Sequence, residues 1–252
     1  MPARKFVWKL ARSRPPDRWR YIYRRGSEEV ILTKERPFVL LPVSSINTKA
    51  KILHIGVDQL SVSGLAGVTV GQLANASALS KSGLFAHFKS KEQLQIELLS
   101  EVARIAELTI VEPAMKADQG LSRLRAVVEL WFGWSRRAGL QGGCPLAAAL
   151  FELDDDVGDV RDHAAQLTVR WRNLLTMLVG ESVTAGHLSA ATDVAQFIWE
   201  LNGIYLNHHV STRFFREKEA DARATYAFEA LIARHRPESG SAVTAWKERT
   251  DG

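Results

Sequence analysis

The sequence predicts an all-α protein of about nine helices. Apolar residues recur at helical spacing from about residue 45 to residue 236, and two helix starts carry a Ser or Thr followed three residues later by Gln. No strand-like alternation is convincing beyond the first 45 residues. No run of roughly 18 apolar residues occurs, so we expect no membrane segment.

The composition is that of a globular protein. The 252 residues are 46% hydrophobic and 24% charged, which is enough to bury a sizeable core. The N-terminal stretch lacks an apolar signal region, and the single cysteine, Cys144, excludes an internal disulfide. Both features favour a cytoplasmic location.

The net charge of +5 is unevenly distributed along the chain. Residues 1–44 hold eleven Lys or Arg and four Asp or Glu, and residues 45–91 hold five bases and one acid. The remaining residues hold seventeen bases and twenty-three acids. A basic front and an acidic rear indicate that any nucleic acid binds at the front.

Residues 1–44 have no sustained periodicity and are rich in Arg and Pro. We expect an irregular basic extension. It is either a solvated tail or an arm in which Trp19, Tyr21 and Tyr23 accompany basic residues along DNA phosphates.

The first predicted helix carries Leu53, Val57 and Leu60 on one face and ends at Gly64. The capping box TVGQ, residues 69–72, then begins a short second helix, and Ser80 caps a short third helix. A further capping box, SKEQ at residues 90–93, begins a long fourth helix that ends near Pro113.

The rest of the chain also has helical periodicity. Five further helices are predicted, over residues 121–131, 145–153, 194–205 and 220–232, and from residue 160 to a stop near Gly180 or Gly186. A polar tail follows at residues 237–252.

Two short helices joined by a tight turn cannot bury enough surface alone, so they need the helix before and the helix after. This is the arrangement of a DNA-binding helix-turn-helix, whose second helix places its N-terminal residues against base edges. Lys81 and Ser82 lie in that N-terminal turn and suit phosphate oxygens. Gly83 would let the backbone approach a sugar-phosphate strand closely.

Three more side chains near this turn are candidate DNA contacts. Phe85 can press on a thymine methyl group, and His87 can donate to a phosphate or a base acceptor. Lys91, at the start of the fourth helix, suits a second phosphate.

The run GVTVGQLANASALSKSGLFAHFKSKEQL, residues 67–94, resembles the DNA-binding domain of TetR-type transcriptional regulators. The resemblance covers residues 45–91, with the helix-turn-helix at about 68–88. It implies that Thr69 opens the second helix and adds Thr69 to the DNA contacts, while Lys81, Ser82 and Gly83 start the recognition helix. Phe85 replaces the usual Tyr, Gly83 the usual Thr, and Ala86 is smaller than usual.

The rear region, residues 92–236, resembles one TetR subgroup more loosely, through GGCPLAAALFEL (142–153) and AGHLSAATD (185–193). The resemblance implies a domain that binds a small-molecule effector and forms a homodimer. The candidate pocket residues are Trp131, Trp134, Cys144, Phe151, Trp171 and Trp199. The candidate dimer face is Phe197, Leu201, Tyr205, Ala224, Phe228 and Leu231, with an intramolecular core as the alternative. Cys144 is either a small buried hydrophobe or a redox sensor.

We therefore expect a DNA-binding transcriptional regulator, a repressor released from double-stranded operator DNA by a small molecule. The alternative is a small helical ligand-binding protein or enzyme with a vestigial helix-turn-helix. The sequence has no GxSxG, Walker or HExxH pattern, so no catalytic residue, metal site or cofactor is expected.

Overall fold

The computed structural model describes residues 20–25, 28–33 and 48–237. These residues form two strands, eleven α-helical segments and two π turns. The strands are β1 (Arg20–Arg25) and β2 (Glu28–Thr33). The helices are α1 (Thr48–Gly67), α2 (Val70–Ala76), α3 (Lys81–Phe85), α4 (Lys91–Ala106), α5 (Glu112–Ala114), α6 (Leu121–Trp131), α7 (Trp134–Arg137), α8 (Pro145–Glu152), α9 (Asp159–Thr184), α10 (Val194–Val210) and α11 (Ala220–Arg234).

The all-α class is confirmed from residue 48 onward. Two of the eleven helical segments, α5 and α7, are single turns of three and four residues, and the other nine match the predicted number. The π turn Glu107–Val111 carries α4 directly into α5, so the helical path ends just after Pro113, as predicted.

The expectation of an irregular front extension is wrong for twelve residues. β1 and β2 pair antiparallel, with Arg20 opposite Thr33 and Arg25 opposite Glu28. Both six-residue runs are rich in β-branched and aromatic residues, which favour pairing over an irregular chain. The remaining residues of 1–44, including Trp19, and the polar tail 238–252 lie outside the described residues.

The chain divides into two compact units. The first contains the described residues up to Glu101 together with Ser135–Pro145, and the second contains Val102–Trp134 and the described residues from Leu146. The expected boundary at residue 91 differs, because the start of α4 belongs to the first unit. Leu98 of α4 is fully buried there, and a Cβ on Gly56 would lie 2.5 Å from Leu98 Cδ2.

Helix α1 continues past Gly64, where the sequence predicted its end. Gly64 has a φ of 70° and a ψ of −177°, so the helix kinks there and resumes for one further turn. The kink turns Leu65 and Val68 into the core of the first unit, where they are buried.

In the second unit α6 packs on α9, and α10 packs on both α9 and α11. Arg125 of α6 donates two hydrogen bonds of 2.8 and 2.7 Å to the carboxylate of Glu229 on α11. These hydrogen bonds lower the pKa of Glu229, so the pair is charged at neutral pH and ties α6 to α11.

Within the described residues, none of the helices is both long and apolar enough to cross a bilayer.

Candidate nucleic-acid interface

Side-chain caps fix the ends of the two short helices. Thr69 is the N-cap of α2, and its hydroxyl accepts a hydrogen bond from the backbone N–H of Gln72 at 3.2 Å. Ser80 is the N-cap of α3 and accepts from the backbone N–H of Gly83 at 3.0 Å. Both predicted helix starts are confirmed, and the Ser80 cap also fixes the point at which the turn between α2 and α3 ends.

The turn between the helices contains a strained residue. Ala78 has a φ of 56°, the left-handed region that favours glycine. Its backbone N–H donates to the carbonyl of Asn75 at 3.1 Å, and the next N–H, of Leu79, donates to Ala74 at 2.9 Å. These bonds hold the residue in place despite its side chain.

We predict that Ala78→Gly raises the free energy of unfolding by about 1 kcal/mol, because glycine adopts this backbone without a Cβ clash. Urea denaturation followed by circular dichroism measures the change. Ala76→Gly, at the last residue of α2, is the matched control and is expected to destabilise the protein by up to about 1 kcal/mol. A loss of stability in Ala78→Gly would contradict the assigned backbone conformation.

Helix α3 is anchored on one side and open on the other. Leu84 is fully buried and Phe88, just after the helix, is 1% exposed. Lys81 and Ser82 are exposed at the N-terminal turn, and Phe85 is 44% exposed. This five-residue helix is thus anchored by its buried side and exposes its first turn to solvent, which is the geometry of a recognition helix, also called the reading helix below.

The two candidate phosphate-binding lysines are available for a ligand. Neither Lys81 nor Lys91 forms an ion pair with another described residue, and both are exposed. A Cβ on Gly71 would lie 3.5 Å from Lys81 Cε, so the stem of Lys81 crosses α2 at a glycine.

The N-terminus of α4 stabilises negative charge. The carboxylate of Glu92 has its pKa lowered, first by a backbone hydrogen bond and then by one from Ser90. Ser90 also accepts from the backbone N–H of Gln93 at 3.0 Å, which confirms the predicted helix start. Glu92 and Ser90 already use amides of this first turn, so Lys91 offers a phosphate its ammonium group rather than the helix amides.

The other two predicted contacts, Gly83 and His87, are half-buried. The His87 ring meets Phe88 edge-on, with 6.5 Å between the ring centroids. A Cβ on Gly83 would lie 3.2 Å from the hydroxyl of its cap, Ser80, so glycine also eases the capping of α3.

The second unit gathers three of the six predicted pocket residues. Trp131 stacks on Tyr205 with 3.9 Å between centroids and meets Trp171 edge-on at 4.9 Å. Trp134 donates its indole N–H to the hydroxyl of Tyr205 at 3.1 Å. The indole N–H of Trp171 is buried without a hydrogen-bond partner among the described residues, so this cluster retains an unused donor.

The other three predicted pocket residues lie elsewhere. Phe151 and Trp199 are 61% and 68% exposed, so they do not line an enclosed site with the three tryptophans. Cys144 is buried in the first compact unit. Sequence spacing alone cannot separate an inward aromatic residue from an outward one when both faces of a helix are apolar.

The predicted dimer face is wrong as an intermolecular surface, because all six of its residues are buried inside the chain. Their exposed fractions are 0% for Phe197, 0% for Leu201, 6% for Tyr205, 5% for Ala224, 2% for Phe228 and 1% for Leu231. The intramolecular alternative holds. These residues pack α10 against its neighbours.

The sequence reasoning missed a second apolar stripe, on the outer face of α10. It consists of Trp199, Gly203, Leu206 and Val210, at spacings of four, three and four residues. Among the residues that the structure describes, none lies within 4 Å of a Cβ placed on Gly203. On α11, Tyr226 is 78% exposed. The spacing of these four residues was visible in the sequence, but the larger apolar residues on the buried face of α10 gave a stronger pattern.

The capped helix pair with an exposed, basic reading turn defines a helix-turn-helix DNA-binding protein with a helical rear unit. Two family models match the chain: "Bacterial regulatory proteins, tetR family" over residues 52–98, and "Tetracyclin repressor-like, C-terminal domain" over residues 120–228. The chain belongs to the TetR family and is a DNA-binding transcriptional regulator.

Solved structures share this fold. A TetR-family regulator from Cytophaga hutchinsonii is 18% identical, with a TM-score of 0.67 over 78% of this chain and 100% of its own. A TetR regulator from Chloroflexus aurantiacus J-10-FL is 20% identical, with a TM-score of 0.65 over 74% of this chain and 92% of its own. AibR in complex with isovaleryl coenzyme A and operator DNA is 16% identical, with a TM-score of 0.56 over 76% and 99%. A search of curated proteins finds no match.

Proposed function

We propose that this regulator is a homodimeric repressor that a small molecule releases from double-stranded operator DNA. The observation that carries the DNA-binding part is the exposed first turn of α3, with Lys81 and Ser82 on a capped and anchored helix. An enzyme or a ligand carrier with a vestigial front domain would have no use for two exposed lysines at two helix N-termini.

The aromatic cluster of Trp131, Trp134, Trp171 and Tyr205 is the proposed effector site. Its rings form a largely buried apolar cluster, and the buried indole N–H of Trp171 needs an acceptor. An effector with an acyl or aromatic body and a carbonyl or carboxylate oxygen fits both features. The isovaleryl coenzyme A in complex with AibR has an acyl chain and a thioester carbonyl of this kind.

The proposed release is a shift between two states. An effector that binds better to the state with misplaced reading helices lowers DNA affinity by its differential affinity for the two states. Helix α4 is the proposed lever, because Lys91 heads it and its π turn and α5 carry the same helical path on to Ala114.

The proposed dimer uses the outer stripe of α10 and the exposed face of α11. One reading helix binds too weakly for a useful regulator, so two copies reading two half-sites are expected. Gly203 supports this surface. A glycine inside a helix costs about 1 kcal/mol relative to alanine, and no atom of the described residues fills the space beside Gly203.

We predict that Lys81→Ala and Lys91→Ala each weaken binding to a duplex selected from random DNA by the wild-type protein. Each change is expected to reduce the slope of log affinity against log salt by about 1, because one phosphate contact is lost. Fluorescence anisotropy from 50 to 300 mM salt measures both quantities.

Lys218→Ala is the matched control, since it removes the same charge from an exposed site in the second unit. It should leave the salt slope unchanged. Equal slopes in all four proteins would remove Lys81 and Lys91 from the DNA surface, and a wild-type protein that selects no duplex would favour the ligand-binding alternative.

A further inference from the structure

The compact unit that contains the helix-turn-helix is not continuous in sequence. It includes Ser135–Pro145, a segment that follows α6 and leads into α8. Gly142 and Gly143 are both buried in this unit. Two adjacent buried glycines allow a neighbouring backbone to approach closely, and here the neighbouring backbone is that of α1.

Three backbone N–H groups of the segment reach α1. Gln141 donates to the carboxylate Oδ1 of Asp58 at 2.9 Å, and Gly142 donates to the hydroxyl of Ser61 at 2.9 Å. Gly143 donates to the backbone carbonyl of Ser61 at 3.0 Å. The Ser61 hydroxyl in turn donates to the carbonyl of Asp58 at 2.6 Å. We call Gln141, Gly142 and Gly143 the glycine latch.

The latch fits only because residue 142 has no side chain. A Cβ on Gly142 would lie 1.7 Å from the carbonyl oxygen of Ser61 and 2.6 Å from the backbone nitrogen of Val62. Both atoms belong to the helix backbone, so a small side-chain shift cannot relieve the clash. Any larger residue must lift the segment off α1.

The latch contacts α1 close to the point where the helix is kinked. The helix is broken at Gly64, three residues after Ser61, and its last turn leads within two residues to Thr69, the cap of α2. Gln95 of α4 also donates to the carbonyl of Leu65, one residue after the kink, at 3.3 Å. Both α4 and the latch therefore hold the kinked end of α1, which sets the direction in which α2 and α3 begin.

We propose that the glycine latch, with Asp58 and Ser61, is a positioning element that holds the kinked end of α1 so that α3 is oriented for DNA. The proposal rests on the proposed function, since it assumes that α3 reads DNA. None of the latch residues touches DNA in this role; they act through α1.

The first experiment compares Asp58→Ala with Asp58→Asn in the full-length protein. Both variants lose the same negative charge, but the asparagine oxygen still accepts the hydrogen bond from Gln141. Binding to a duplex selected by the wild-type protein is measured by anisotropy. Asp58→Ala is expected to bind about fivefold more weakly than Asp58→Asn. Equal affinities of the two variants would overturn the positioning role.

The second experiment compares Gly142→Ala with Gly180→Ala. Nothing lies within 4 Å of a Cβ on Gly180, so this control adds the same methyl group without a clash. Gly142→Ala is expected to speed amide hydrogen exchange in the last two turns of α1 at least tenfold and to weaken DNA binding by a similar factor. Gly180→Ala should change neither quantity.

If amide hydrogen exchange at the end of α1 is as slow in Gly142→Ala as in the wild-type protein, the proposal is also overturned. If Gly142→Ala fails to fold, the Asp58 pair decides alone. A wild-type protein that selects no duplex refutes the proposed function, whereas the exchange rates still report whether the latch holds α1.

Discussion

Gly203→Arg is expected to convert the proposed dimer into monomers and to lower affinity for a two-half-site duplex by about 100-fold or more. The long cationic side chain would stand in the centre of the outer stripe of α10, where a second copy must approach closely. The stability of the individual subunit should not decrease. Nothing within 4 Å meets a Cβ at this position, and arginine favours a helix by about 0.8 kcal/mol over glycine.

Sedimentation velocity at micromolar concentration gives the oligomeric state, and anisotropy with one-site and two-site duplexes gives the affinities. Gly180→Arg is the matched control, because it adds the same residue at an open helical position on α9. It should remain dimeric. A dimeric Gly203→Arg protein would place the subunit interface on another surface, and the proposal for α10 would be wrong.

Phe88→Ala is expected to lower the free energy of unfolding by about 4 kcal/mol. Phe88 is 1% exposed between α3 and α4 and is among the largest fully buried side chains of the described residues. The ammonium group of Lys49 lies 5.3 Å from the centre of its ring and is itself paired with Glu97 at 2.6 Å. The substitution therefore removes core packing together with a cation–π contact that ties α1 to the end of the reading helix.

Phe85→Ala is the control for that experiment, since the same truncation is made three residues earlier at a side chain that is 44% exposed. It should cost less than about 1 kcal/mol of stability and act mainly on DNA affinity. Urea denaturation measures the first effect and anisotropy the second. Equal losses of stability in the two variants would mean that α3 is not anchored through Phe88.

Much of the front unit could be predicted because its signals are local. A hydroxyl at Thr69, Ser80 or Ser90 caps the helix that begins at the next residue, so the starts of α2, α3 and α4 can be read from a few adjacent positions. The polar face of α3 was equally visible, because Lys81 and Ser82 precede an apolar anchor at a fixed spacing.

Other features could not be read this way. The sequence assigned Phe197, Leu201 and Tyr205 to an interface. Whether they are buried inside the chain depends on which helices surround α10, and the periodicity of α10 alone does not show this. The hairpin of β1 and β2 was missed because the Arg residues of β1 and the Glu residues of β2 weaken the alternation that marks a strand.

Local chemistry by itself determined the helical class, the caps of the short helices and the basic reading turn, since each depends on residues a few positions apart. Only the tertiary structure decided which aromatic residues cluster, which face of α10 stays open, and that Gly142 lies against Ser61. These features join residues that are tens of positions apart in the chain. The packing of whole helices sets such distances, and no short stretch of sequence contains them.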